Sequence, residues 1–183
     1  MSNWTKIGKL SAFIAPMSFV LLTAAAVYNY PGYNAHENFL SDLGVGEKSA
    51  VFFNSAAIIA GFFAILLSFA LYRIFRNSSL CKGGSVTLTF GGIFLIGIGI
   101  ITEQYAVIHA TVSGLFFASL SVTLIIFGLA LRKRLHLAYF FTFAGIIISL
   151  SFYFGITPLL EHIAVALIIL WSLGVGIFLR GGR

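Results

Sequence analysis

Ten of the eleven basic residues in this 183-residue chain lie in alternate gaps between, or just outside, long apolar runs. The five acidic residues lie on the opposite side, four in the remaining gaps and Glu161 at the start of the sixth run. The runs cover residues 10–29, 51–72, 85–102, 106–131, 137–156 and 160–179. Each approximates the roughly 20 apolar residues that carry a helix across a bilayer. Lys6 and Lys9 precede the first run. Arg73, Arg76 and Lys82 lie between the second and third, and Arg132, Lys133 and Arg134 between the fourth and fifth. Arg180 and Arg183 follow the sixth. Glu37, Asp42, Glu47, Glu103 and Glu161 occupy the other side, joined there by a single base, Lys48. A misplaced span would scramble this alternation. Basic loops face the cytoplasm. The expected fold class is therefore an all-α membrane protein, a single-domain six-transmembrane-helix bundle over 1–183 with N and C termini cytoplasmic.

Composition agrees. Only 9% of residues are charged, against the ~25% with which a soluble domain covers its surface. Hydrophobic residues make up 60%, and mean hydropathy is +1.04. The formal charge of +6 would suggest nucleic acid for a soluble protein. Here the bases report topology, so nucleic acid is excluded as a partner and membrane lipids are expected. One cysteine, Cys81, rules out an intrachain disulfide. Lys6, Lys9 and Ala24-Ala25-Ala26 flank the first run as in a signal peptide; we read it as a retained helix. Pro16 is expected to bend it, which neighbouring helices can tolerate in a membrane. The run Gly91 to Gly99, with glycines at both ends, reads as a close helix-packing face. The paired phenylalanines Phe62-Phe63, Phe116-Phe117 and Phe140-Phe141 read as packing.

The acid side also holds three of the four histidines, His36, His109 and His162, whereas His136 sits among the cytoplasmic bases. Ionisable groups at membrane depth are costly and by default mark function. The candidate catalytic residues are Asp42, His109, Glu103 and Ser41, with Asn38, Asn54 and Glu161 as candidate substrate-binding residues. Three chemistries fit. His36, His109 and His162 could supply the three protein ligands of a catalytic zinc or other divalent metal, which would activate a water. A histidine could instead act as general base, oriented by Asp42 or Glu103. The groups could also bind a lipid headgroup or solute, or relay protons, without bond chemistry. The structural alternatives stand beside these. Ser41 and Asp42 suit a helix N-cap, Gly44 and Gly46 suit positive φ, Glu161 suits a helix N-terminus, and Glu37, Glu47 and Lys48 suit solvation.

The stretch SDLGVGEKSAVFFNSAAIIAG resembles the signature of a prokaryotic family of integral membrane proteins catalogued as domain of unknown function 998. That family has an S-D-L-G element after its first helix, here Ser41-Asp42-Leu43-Gly44, and a Phe-Asn pair opening the second, here Phe53-Asn54. Its later acid-then-histidine element matches Glu103 and His109, although Gln104 stands where the family tends to have a proline. More distantly the chain is similar to the eukaryotic Frag1/DRAM/Sfk1 group, which has six helices, an I-S-D-x-G element and a histidine opening the fourth helix. One branch of that group is implicated in remodelling the lipid of glycosylphosphatidylinositol anchors. The resemblance implies a prokaryotic plasma membrane and points toward lipids. The expected function is an outward-facing acid/histidine pocket that binds, and can hydrolyse or remodel, a lipid or lipid-linked substrate. The alternative is a non-enzymatic lipid-binding, transport or assembly protein.

Overall fold

A computed structural model of the chain describes residues 2–132 and 138–181; Lys133, Arg134, His136 and Arg183 lie outside them. The described residues form six α-helices and no strand: α1 Asn3–Tyr28, α2 Ala50–Ile74, α3 Ser79–Ile100, α4 Ala106–Leu131, α5 Ala138–Phe154 and α6 Pro158–Arg180. Single-turn 3-10 helices at Ser41–Gly44 and Glu103–Tyr105 lie in the α1–α2 and α3–α4 connections. Five of the six helices are long and apolar enough to cross a membrane, and α5 is shorter at 17 residues. The chain is a multi-pass helical membrane protein.

Helices overrun the apolar stretches where a polar cap lies further out. Ser2 Oγ accepts the Thr5 N–H, so α1 starts well before residue 10. Ser78 Oγ accepts the Cys81 N–H and starts α3 before residue 85. Thr157 Oγ1 caps α6, with Pro158 in its first turn. These side chains satisfy N–H groups that have no intrahelical partner. Apolarity thus marks the hydrocarbon crossing, and capping marks the helix.

Successive helices alternate in direction, which gathers Lys6, Lys9, Arg73, Lys82, Arg132 and Arg180 at one end and both 3-10 turns at the other. Large apolar side chains such as Met17, Leu21, Phe69 and Val107 are exposed on the flanks. Of the paired phenylalanines, Phe116, Phe117 and Phe141 are buried while Phe62 and Phe140 face outward.

Glycine sets how closely α2 and α3 approach. A Cβ on Gly61 would lie 2.6 Å from the Gly92 carbonyl oxygen, and one on Gly99 would lie 2.7 Å from that of Asn54. Where no side chain intervenes, backbones meet. The α4–α5 seam repeats this at Gly145, where a Cβ would lie 2.7 Å from the Ser121 carbonyl oxygen. Hydroxyls cross-link neighbouring helices through Ser68–Thr89 and Thr87–Thr123, both at 2.7 Å.

α1 runs unbroken through Pro16. A proline has no N–H, so the Ala12 carbonyl one turn earlier lacks its helical donor. Ser172 Oγ of α6 supplies it, donating to Ala12 O at 2.9 Å in a buried site. The proline is accommodated by a hydroxyl from a neighbouring helix.

α1, α2, α3, α4 and α6 line a partly open cavity of about 90 Å³, to which α5 contributes no lining residue. α6 leans on α1 and touches α4 only weakly.

Candidate functional site

The α1–α2 connection folds back on itself through side-chain hydrogen bonds. Gly32 turns the chain at φ 77° after Pro31. The Asn34 N–H donates to Asn38 Oδ1 at 3.1 Å, and Asn38 Nδ2 donates to Asp42 Oδ2 at 3.0 Å. The same Asp42 oxygen accepts the Phe39 N–H at 3.1 Å. Asp42 therefore ties together the turn before it and caps no helix ahead. The expected positive φ at Gly44 and Gly46 is absent, and both glycines serve close approach. A Cβ on Gly44 would lie 2.7 Å from Asn54 Oδ1, and one on Gly46 would lie 2.9 Å from the Tyr30 ring. Asn54 Nδ2 donates to Gly44 O at 3.1 Å, and Ser49 Oγ donates to Leu43 O at 2.7 Å. Both bonds pin the S-D-L-G turn to the start of α2. Asn54 is thus engaged with backbone through Nδ2, while its Oδ1 is buried with no hydrogen-bond partner.

Two carboxylates reach this turn from other elements. Ser41 Oγ donates to Glu103 Oε1 at 2.6 Å, across 62 residues of chain. Ser41 is therefore a cross-link between the two 3-10 turns and not an N-cap. The Leu40 N–H donates to Glu161 Oε2 at 2.6 Å. Glu161 is buried in the first turn of α6, where the helix dipole also favours negative charge. Glu103 stands in electrostatic reach of Asp42 and His109, and Glu161 of Glu103 and Asp42. The direct hydrogen-bond donors to all three acids are neutral: an amide, a hydroxyl and two backbone N–H groups.

His109 is 6% exposed. Its Nδ1 meets the Ile101 carbonyl at 2.5 Å. A carbonyl only accepts, so Nδ1 carries the hydrogen. Nε2 is buried with no hydrogen-bond partner, which is an uncommon condition for a polar atom. In the neutral ring this atom bears the lone pair that a general base needs.

His162 is arranged differently. Its Nδ1 bonds the Pro158 carbonyl and its Nε2 bonds the Tyr33 hydroxyl, both at 2.6 Å. Burial, then the nearby Glu161 and Asp42 carboxylates, push the Tyr33 phenol up to about 12. Tyr33 thus stays protonated near neutral pH and has a hydrogen to give Nε2. His36 is exposed, and its N–H donates to Asn34 Oδ1.

Three of the four candidate catalytic groups, Ser41, Asp42 and Glu103, converge with Glu161, and His109 joins them through Glu103. The three-histidine metal set is not assembled: His36 is on the surface, and both nitrogens of His162 are occupied. Among the described residues no group of three or more His, Cys, Asp or Glu is placed to hold a metal ion. Sequence reasoning missed Tyr33, whose only cue was an aromatic residue just past the Pro31-Gly32 turn.

Ser41 and Glu161 also line the cavity between the helices, together with Leu40. Below them the wall is apolar, running past Phe53, Ala64 and Phe116 to Leu67, Leu88 and Trp171, with Ser113 and Ser172 as the other polar lining residues.

These features define a multi-pass helical bundle with a carboxylate-lined polar cluster at one end of an apolar cavity. The family model described as protein of unknown function DUF998 matches residues 13–180, and the chain belongs to that family. No curated protein and no solved structure matches it.

Proposed function

We propose that this protein binds a lipid or lipid-linked substrate at the outer leaflet of the cell membrane, with its polar part among Ser41, Asp42, Glu103, His109 and Glu161. The observation that carries this reading is that Ser41 and Glu161 belong both to the polar cluster and to the wall of an apolar cavity. A ligand filling both regions is polar at one end and apolar at the other. The charge alternation along the chain favours an outward orientation for the cluster. The distant similarity to a group with a lipid-remodelling branch points the same way.

The unpartnered Nε2 of His109 favours hydrolysis or remodelling over passive binding. It suits a general base that takes the proton of a water or hydroxyl, with Glu103 stabilising the imidazolium so formed. Ser41 already donates its hydroxyl hydrogen to Glu103 and serves as a positioning residue in this reading. An ion-coupled transporter would place charge near the bilayer midplane, and these acids sit at helix ends.

The test is an assay of purified, bilayer-reconstituted protein against separate lipid classes, reading both binding and product release, with Asp42→Asn and His109→Ala beside the unaltered chain. Loss of binding in Asp42→Asn and loss of turnover in His109→Ala are expected. Full retention of both readouts in both variants overturns the site.

A further inference from the structure

The cavity enclosed by α1, α2, α3, α4 and α6 has a shape and chemistry that narrow its occupant. Its free volume of about 90 Å³ is several times the ~10–15 Å³ that one water needs and suits a slender chain. Its charged lining is confined to one end, at Glu161. From residue 161 to residue 171 along α6 the wall descends about 15 Å at ~1.5 Å per residue. That is half of the ~30 Å hydrocarbon core, the depth of one leaflet. Of the deep polar groups, the Ser172 hydroxyl is already spent on the Ala12 carbonyl. Water has too few polar partners there to fill such a space, and apolar cavities stay dry. In a bilayer the available filler is hydrocarbon.

The mouth adds a second constraint. Glu161 lines it, Ser41 there holds the Glu103 carboxylate, Asp42 stands in electrostatic reach of both acids, and Lys48 is the sole base on that side among the described residues. Such a mouth accepts hydrogen bonds and repels anions.

We propose that this cavity seats one hydrocarbon chain of a lipid whose polar end is an uncharged or cationic hydrogen-bond donor, with the chain terminus beside Trp171. This deepens the reading given above and rests on it for the polar end. The weakly packed α4–α6 side is where a chain would enter from the bilayer.

Trp171 makes the proposal measurable. The chain has two tryptophans, Trp4 and Trp171. Trp4 is exposed in the first turn of α1, whereas Trp171 is 2% exposed and shielded from surrounding lipid. In a Trp4→Phe background the remaining fluorescence reports the deep end of the cavity. The probe is a monoacylglycerol brominated either at the chain end or next to the ester, compared with the chain-end-brominated fatty acid at pH 8. Expected is saturable quenching that is stronger for the chain-end bromine, with the fatty acid binding about tenfold more weakly. Ala64→Phe and Ile168→Phe, which fill the middle of the cavity, are each expected to weaken the monoacylglycerol about tenfold. Equal quenching from both bromine positions, unchanged in whichever filled variant folds, overturns the seat. Tighter binding of the fatty acid overturns the donor preference. Absent quenching alongside intact dependence on Asp42 and His109 in the lipid-class assay overturns the chain seat alone. Position-dependent quenching without that dependence supports the seat and overturns only the polar-cluster reading.

Discussion

The α2–α3 seam and the α4–α6 seam are built in opposite ways. At the first, Gly61, Gly92 and Gly99 remove the side chains between two backbones, and the helices lie against each other along their length. At the second, Phe116, Phe117, Leu120, Ile168 and Ile169 line a volume instead of interdigitating. α6 is held by other means: Ser172 on α1, Glu161 on the α1–α2 connection, and His162 on Tyr33. Between apolar helices in lipid there is little hydrophobic drive to close a seam. A gap can therefore persist where directed hydrogen bonds fix the flanking helix. The closed seam secures the fold, and the open one leaves room for a ligand.

Substitutions that add bulk or remove a bond should separate the two seams. The largest effect is expected at Gly92→Leu. A Cβ there would already lie 2.8 Å from the Gly61 carbonyl oxygen, and forcing such a contact costs about 3 kcal/mol or more. Loss of monodisperse protein in detergent is the readout, and an unchanged thermal midpoint would deny that the seam is closed. Gly114→Ala on α4 is the control, because a Cβ there meets nothing within 4 Å; it should stay within about 0.5 kcal/mol.

Glu161→Ala comes next. It strips the buried Leu40 N–H of its acceptor, at a cost of about 2 kcal/mol. Glu161→Gln keeps an acceptor oxygen and should recover part of that loss in thermal unfolding. Ser172→Ala leaves the Ala12 carbonyl with neither a helical donor nor a side-chain one, for about 1–2 kcal/mol. If Ser172→Ala is silent alone but destabilising after Pro16→Ala, the pairing of proline and hydroxyl is wrong.

The smallest effect is a titration. Tyr33 ionises near 12, against the model-peptide value of 10.0. Its folded value is the raised one, so the stability it contributes is complete below pH 10 and is lost as pH rises toward 12. Tyrosinate absorbance should show one step near pH 12 that Tyr33→Phe removes. A difference spectrum with its step near pH 10 would place Tyr33 in open solvent.

Much of the bundle was legible in the sequence because charge alternation and run length are one-dimensional signals. Both survive folding: the described bases other than Lys48 gather at one end and the acids at the other. Asp42 bonds locally, to Asn38 and Phe39 four and three residues before it, whereas the sequence suggested a cap on the helix ahead. His36, His109 and His162 were not separable by sequence. Whether a histidine faces a partner depends on the rotation of its helix, and here His162 meets Tyr33 from 129 residues away. The paired roles of Pro16 and Ser172 were equally hidden, 160 residues separating Ser172 from the carbonyl it serves. The cavity is the clearest limit, because five helices define it by what they leave unfilled.

The most direct test of a lipid held jointly by the carboxylate cluster and the apolar cavity is native mass spectrometry of protein released from its bilayer. One lipid mass retained per chain is expected, reduced in Glu161→Gln and in Ala64→Phe and smallest in the double variant. A bare chain, or the same lipid distribution in all four proteins, would contradict it.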